Sequence, residues 1–269
     1  MNILSGFLIP MNEKQLEKYL SILPLGGLRY YDTVGSTNDE ALTWALQGAA
    51  DLSLIIADEQ TRGRGRMDRK WFTPPQSALA MSLILRPSRS ERAHPARTTG
   101  LLALSLADSL RKLDLKPEIK WPNDVLLSGR KVAGILVETT WIGEEPDAMV
   151  LGMGVNVLNA SVPPADQLLF PATSIETELG HPVERIELLR DILVNVIGWR
   201  PKLDTDAFLD AWEESLAFRG QQVEVGAGSE NTVVGELIGL NPDGSLRLRE
   251  EHGKSVIVQF GEVHVRPAT

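Results

Sequence analysis

The sequence predicts an α+β fold: a mixed β-sheet packed with helices, followed by a small all-β unit. Three observations carry this. Segments with the 3.6-residue period of a helix are interleaved with short apolar strands over residues 13–217. Two of those strands, 78–85 and 150–157, set a bulky face against a small one. Past Arg219-Gly220 the helical pattern stops, and short strands alternate with Gly, Asn-Pro-Asp-Gly and His-Gly-Lys turns.

Residues 13–23 form the first expected helix, with Leu16, Tyr19, Leu20 and Leu23 on one side. A second starts at Ser36. Ser36, Thr37 and Asn38 all favour an N-cap, Thr37 and Glu40 have capping-box spacing, and Gly48 is the stop. Leu52–Ala57 reads as a short strand, followed by a basic loop and the strand 78–85. Leu101, Leu102, Leu104, Leu106 and Leu110 make 98–113 a buried helix. Glu118–Trp121 is a strand, Ser128-Gly129 a hairpin turn and Ala148–Val157 a further strand. Helices follow near 183–199 and 205–217, then strands at 221–225, 232–240, 245–250 and 255–260. The expected boundaries are an N-terminal extension 1–28, a main domain 29–218 and a β domain 219–269.

The chain has 269 residues, 43% of them hydrophobic, enough for a sizeable core. It carries 27 Lys+Arg against 36 Asp+Glu, a net charge of −9. That balance argues against broad nucleic-acid or anionic-membrane binding, which need a wide positive field. With no cysteine, disulfides, thiolate metal sites and thiol nucleophiles are excluded; a reducing, cytoplasmic location is expected. The four histidines are scattered without metal-ligand spacing. No apolar run is long enough to span a bilayer, and no secretory signal is read at the N-terminus.

Against this acidic background, residues 62–71 hold Arg62, Arg64, Arg66, Arg69 and Lys70 with a single carboxylate, Asp68. Arginine forks suit phosphates and carboxylates, Gly63 and Gly65 let backbone approach a ligand, and Trp71 offers a face for stacking. The strands add a floor. In 150–157, Leu151, Met153, Val155 and Val157 share one face, and Gly152, Gly154 and Asn156 the other. In 78–85, Leu79, Met81, Leu83 and Leu85 oppose Ala78, Ala80 and Ser82. Such a small face admits either a ligand or another packed element. In the hairpin, a two-residue loop Ser128-Gly129 sets Leu126 opposite Lys131 and puts Asp124 diagonally on the face of Lys131.

Together these segments resemble the biotin protein ligase family. The matching pieces are Ser36-Thr37-Asn38, Gln60, Gly63-Arg64-Gly65-Arg66 through Arg69-Lys70-Trp71, Lys120-Trp121-Pro122-Asn123-Asp124, Lys131-Val132-Ala133-Gly134-Ile135-Leu136-Val137-Glu138, and Gly152-Met153-Gly154-Val155-Asn156. The resemblance implies a catalytic domain like those of class II aminoacyl-tRNA synthetases and a C-terminal SH3-like barrel. It implies two half reactions: biotin and ATP give biotinyl-5′-AMP and pyrophosphate, and a lysine of a biotin carboxyl carrier domain then takes the biotinyl group. ATP with Mg²⁺ is the expected co-substrate. The metal is expected on the ATP phosphates near Asp124 rather than in a protein centre.

By the same resemblance Ser36, Thr37, Asn38 and Gln60 contact the biotin ureido ring. Arg64, Gly65 and Arg66 close over biotin and phosphate. Lys131 contacts the carboxylate and phosphate oxygens as chief electrostatic catalyst, with Arg64 and Asp124 beside it in the catalytic set. Gly134 lets the ligand approach the strand. Arg66, Arg69, Trp71, Asn123 and Asn156 contact ATP or the adenylate, with Trp71 stacking. The basic loop is expected to order only on ligand binding. Asp68 stands where many relatives carry glycine, and Arg62 where a small residue is common.

Two other readings compete with this one. A lipoate or octanoate ligase shares the catalytic fold, but its usual Arg-Arg-x-Ser-Gly-Gly-Gly loop followed by His-Asp is missing here. A non-catalytic binding module has no reason to hold this polar and basic set. A P-loop ATPase is excluded by motif. Only 35 residues precede Ser36, too few for the DNA-binding domain some relatives carry, so a short form without operator binding is expected. A specific gel shift at physiological salt would refute that. The partners expected are the carrier domain, biotin and ATP, without DNA or membrane, for a monomer or homodimer.

Overall fold

The computed structural model describes residues 11–226, 232–259 and 264–268. Seven strands form the main sheet: β1 (Gly27–Val34), β2 (Ser53–Gln60), β3 (Ala78–Leu85), β4 (Pro117–Lys120), β5 (Asp124–Leu127), β6 (Arg130–Ile142) and β7 (Glu145–Asn156). Their order is β1-β2-β3-β7-β6-β5-β4. Only β1 and β2 are parallel, because helix α2 (Thr37–Leu46) makes the crossover between them. The remaining helices are α1 (Glu13–Leu20), α3 (Arg89–Ala93), α4 (Pro95–Arg111), α5 (Ile175–Leu179), α6 (Arg185–Trp199) and α7 (Asp206–Glu214). No helix among the described residues is long and apolar enough to cross a membrane.

The two faces of the central strands divide the work. Leu79, Met81, Leu83, Leu85, Leu151, Met153 and Val155 join Leu101, Leu102 and Leu106 of α4 and Leu189, Ile192 and Leu193 of α6 in one core. On the small side, Ala41 and Ala45 of α2 pack on Ile55, Ile84, Ala148 and Val150. Beyond Val150 that side of β7 continues as Gly152, Gly154 and Asn156, all lining a cleft. The small face thus packs α2 on one half, and its other half lines the cleft.

Several expectations are corrected. The capping box of Thr37 and Glu40 does not form: Ser36 is the N-cap and its hydroxyl makes no capping bond. The Thr37 hydroxyl is drawn instead to Gln60 Oε1, 3.1 Å away at the end of β2. The buried helix begins at Pro95, since proline fits the first helical turn where no N–H partner is needed. Strand β1 was missed because its sequence, Gly-Leu-Arg-Tyr-Tyr-Asp-Thr-Val, lacks clean alternation, as befits a half-exposed sheet edge. Helix α1 packs on the main core, where Leu16 and Leu20 are buried.

A second sheet follows, formed by β8 (Gln222–Gly226), β9 (Val233–Leu240), β10 (Leu246–Arg249), β11 (Ser255–Val258) and β12 (His264–Pro267). It is wholly antiparallel, in the order β11-β10-β9-β8-β12, as expected of a small SH3-like unit. Its fifth strand, β12, carries no alternation long enough to read from sequence. The two units share buried contacts. Trp121 Nε1 donates to Gly244 O at 3.1 Å, and buried Arg97 donates to Pro242 O at 2.8 Å.

Polar stapling also holds the turn after β3. Arg200, at the end of α6, binds Glu91 at 2.6 Å and Asp51 at 2.6 Å. Burial alone would raise the Glu91 pKa, but Arg200 and the Ser88 N–H outweigh it and hold it below the usual carboxylate range. The linked stability is present above the ordinary value of about 4.3–4.5 and is lost as pH falls below it. Glu91→Gln is therefore expected to lower Tm at pH 7. The gap to wild type should shrink in melts at progressively lower pH; a constant gap would contradict the linkage.

Candidate active site

The cleft, about 1080 Å³ in volume, is lined by every residue that the sequence assigned to the site: Ser36, Thr37, Asn38, Gln60, Arg64, Gly65, Arg66, Arg69, Trp71, Asn123, Asp124, Lys131, Gly134 and Asn156. Its two ends differ in character, and β6 runs between them. From Glu138 to Lys131 along that strand is roughly 20 Å at the usual rise per residue.

The side chains of Ser36, Thr37, Asn38 and Gln60 make one end a set of neutral hydrogen-bonding groups, with the charges of Arg64, Glu138 and Asp39 paired at its edge. The N-terminus of α2 sits over β2, β3 and β7. Thr37 N–H donates to Gln60 Oε1 at 2.9 Å, and Gln60 Nε2 donates to Thr73 Oγ1 at 3.1 Å. Asn38 Nδ2 donates to Glu138 Oε2 at 2.8 Å and Leu136 O at 3.2 Å. Its Oδ1 accepts from Ser82 at 2.6 Å. A Cβ on Gly152 would lie 2.0 Å from that oxygen, so this close approach requires glycine.

The middle of the floor is a glycine pair. Gly134 of β6 and Gly154 of β7 stand opposite each other, and the Trp71 ring lies against both. Cβ atoms there would come within 3.1 Å of Trp71 Cζ3 and 2.1 Å of its Nε1. That Nε1 is buried and makes no hydrogen bond.

The other end is cationic. Lys131 Nζ binds Asp124 at 2.7 Å across the hairpin, with 25% and 16% of the two side chains exposed, and lies 5.4 Å from the Trp71 ring centre. Leu126 faces Lys131 as expected, but the register shifts by one residue between Leu126 and Val125, so Asp124 pairs with Gly134. A bridge to Ala172 clamps the Lys131 backbone, and Asn156 Nδ2 steadies the same segment by donating to Thr173 O at 3.0 Å. Arg66 donates to Asn123 Oδ1 at 3.0 Å, and Asn123 Nδ2 to Ile135 O at 3.0 Å. Lys120 packs 4.0 Å from the Phe170 ring centre. Burial, with Lys131, Arg266 and Arg69 nearby, holds its pKa below the usual lysine value despite Asp124.

The basic loop is a hairpin. Trp71 N–H donates to Gly63 O at 2.9 Å and Gly65 N–H to Arg69 O at 2.7 Å, with Met67 and Asp68 left-handed at the tip. The φ of 56° at Asp68 is a conformation that favours glycine. The backbone bonds tie the root of the loop. Arg64 is not brought to Lys131. Its guanidinium forks onto Glu138 at 3.0 and 2.7 Å and reaches Asp39 at 2.8 Å, at the neutral end. Burial alone would lower its pKa, but those carboxylates raise it, so the group stays cationic.

Sequence reasoning missed Ser82, Glu138, Lys120 and Arg266. Ser82 was read only as a small residue, and Lys120 and Glu138 lay inside quoted motifs without a role. Arg266 reaches the cleft from the second sheet, and nothing local in its sequence signals that.

Comparison with known proteins points to one family. Residues 30–156 match the model of the biotin/lipoate A/B protein ligase family. The chain is 37% identical over 232 residues to the biotin–[acetyl-CoA-carboxylase] ligase of Paracoccus denitrificans, covering 82% of this chain and 94% of that one. It is 33% identical to the Mycobacterium tuberculosis protein of the same name, covering 96% and 97%. Among solved structures it is similar to the biotin protein ligase from Aquifex aeolicus in complex with biotin and ATP. That likeness has a TM-score of 0.77 at 26% identity, over 90% of this chain and 99% of that one.

Proposed function

The chain belongs to the biotin protein ligase family, and on that premise we propose that it activates biotin with ATP and passes the biotinyl group to a carrier-protein lysine. The supporting observation is the polarity of the cleft: a neutral hydrogen-bonding end and a cationic end joined by a glycine floor. A ureido ring needs donors and acceptors without net charge, as Ser36, Thr37, Asn38 and Gln60 supply. An acid meeting a triphosphate needs cations to offset repulsion between the anions and the charge that develops at phosphorus.

In the first step a carboxylate oxygen of biotin attacks the α-phosphorus, and the bond to pyrophosphate breaks. Lys131 and Arg66 hold the oxygens that gain charge, each steadied by a partner: Asp124 for Lys131, Asn123 for Arg66. This leaves to Arg66 the phosphate role first shared by Arg64 and Arg66, because Arg64 is turned to Glu138 and Asp39. Lys120, Arg69 and Arg266 face the outer phosphates. Asp124 is the carboxylate that would stand nearest a Mg²⁺ carried on the ATP phosphates, where the metal would offset phosphate charge. Trp71 stacks with the adenine. Asn156 acts through the 171–173 segment that clamps Lys131. In the second step the carrier lysine amine attacks the acyl carbon and AMP leaves.

Incubation with ATP, biotin and an unmodified biotin carboxyl carrier domain tests the whole sequence. The expected product is one biotinyl group on one lysine by mass spectrometry, lost when that lysine is arginine. A carrier that stays unmodified by folded protein would contradict the transfer step.

A further inference from the structure

We propose that Glu138 is a positioning residue for acid binding, one carboxylate that sets both the wall of the ureido pocket through Asn38 and the root of the overlying loop through Arg64. The inference rests on the biotin-activating reading above and assigns a role that the reading does not contain.

Glu138 Oε2 accepts from Asn38 Nδ2 at 2.8 Å and from Arg64 at 2.7 Å, while its Oε1 accepts the second arm of Arg64 at 3.0 Å. Two consequences follow. With Nδ2 held by Glu138 and Leu136 O, the Asn38 amide has one orientation, its oxygen turned to Ser82 and the Gly152 floor. A carboxylate accepts only, so it enforces that orientation; a neutral amide at 138 can donate or accept and lets Asn38 rotate. Arg64, for its part, lies between Glu138 on β6 and Asp39 in the first turn of α2. Two parallel bonds fix a guanidinium plane as a single contact does not. The root of the loop is thereby pinned beside the ureido pocket, while the tip at 65–69 stays beyond the pin. Both effects act on how the acid is held. Neither reaches Lys131 or Asp124, seven and fourteen residues away along the chain.

The test is steady-state pyrophosphate exchange with biotin and ATP varied separately, for wild type, Glu138→Gln, Arg64→Gln and the double variant, with the rate of adenylate release. Each single change is expected to raise the biotin KM about tenfold and speed adenylate release, with the ATP KM within about twofold. The double variant should fall clearly short of additive, because both changes remove the shared Glu138–Arg64 contact. A Glu138→Gln protein with unchanged biotin KM, with both KM values raised alike, or with an additive double variant would overturn the inference while wild-type exchange leaves the parent reading intact. If Glu138→Gln does not fold, Arg64→Gln, placed on the loop, decides by the same split of KM values. A wild type without biotin-dependent exchange would overturn the parent reading and this inference with it.

Discussion

Lys131→Ala is expected to slow biotin-dependent pyrophosphate exchange by ~10²–10³, with little change in Tm. Removing one preorganised contact to developing charge costs on the order of 2–4 kcal/mol in the transition state. Lys131 is the group best placed for that role. Its backbone is clamped by the bridge to Ala172, its Nζ is oriented by Asp124, and its side chain lies along Trp71. Arg66→Ala should show a loss of similar kind. Lys131→Arg keeps the charge but not the compact ammonium, and should recover only part of the rate. Near-wild-type exchange in Lys131→Ala would refute its place in the chemistry.

Gly154→Ala is expected to raise the ATP KM by about tenfold or more. The new Cβ would lie 2.1 Å from Trp71 Nε1 and 2.2 Å from Cε2, both rigid ring atoms. Contacts that close force a shift, and overpacking of this kind costs about 1–3 kcal/mol. The ring must lift off the floor, taking the stacking face and the neighbour of Lys131 with it. Gly134→Ala meets the same ring only at 3.1 Å, so its effect should be smaller. The graded order can be read from ATP KM together with tryptophan fluorescence. Equal effects at both glycines, or none at Gly154, would show that Trp71 does not rest there when ATP binds.

Much of this site was legible in the sequence because its residues travel in contiguous runs. A two-residue turn at Ser128-Gly129 was enough to set Leu126 opposite Lys131 and to expect Asp124 near it, as their 2.7 Å pair bears out, while the register shift that pairs Asp124 with Gly134 lay hidden. Period-two alternation revealed the glycine floor before any coordinates did. The illegible parts depend on residues brought together from afar. Arg64 and Glu138 are 74 positions apart, so the sequence offered Arg64 to the phosphate when two carboxylates claim it. The hydroxyl of Thr37 was read as a helix cap because local spacing cannot reveal Gln60. Arg266 arrives from another sheet, and β1 hides because an exposed edge needs no clean pattern.

The central claim is that this cleft activates biotin at the expense of ATP. Pyrophosphate exchange into ATP, run with biotin, lipoate, octanoate or no acid, tests it most directly. The account predicts exchange with biotin alone, abolished or nearly so in Lys131→Ala. Exchange driven by lipoate or octanoate, or none with any acid from folded protein, would contradict it.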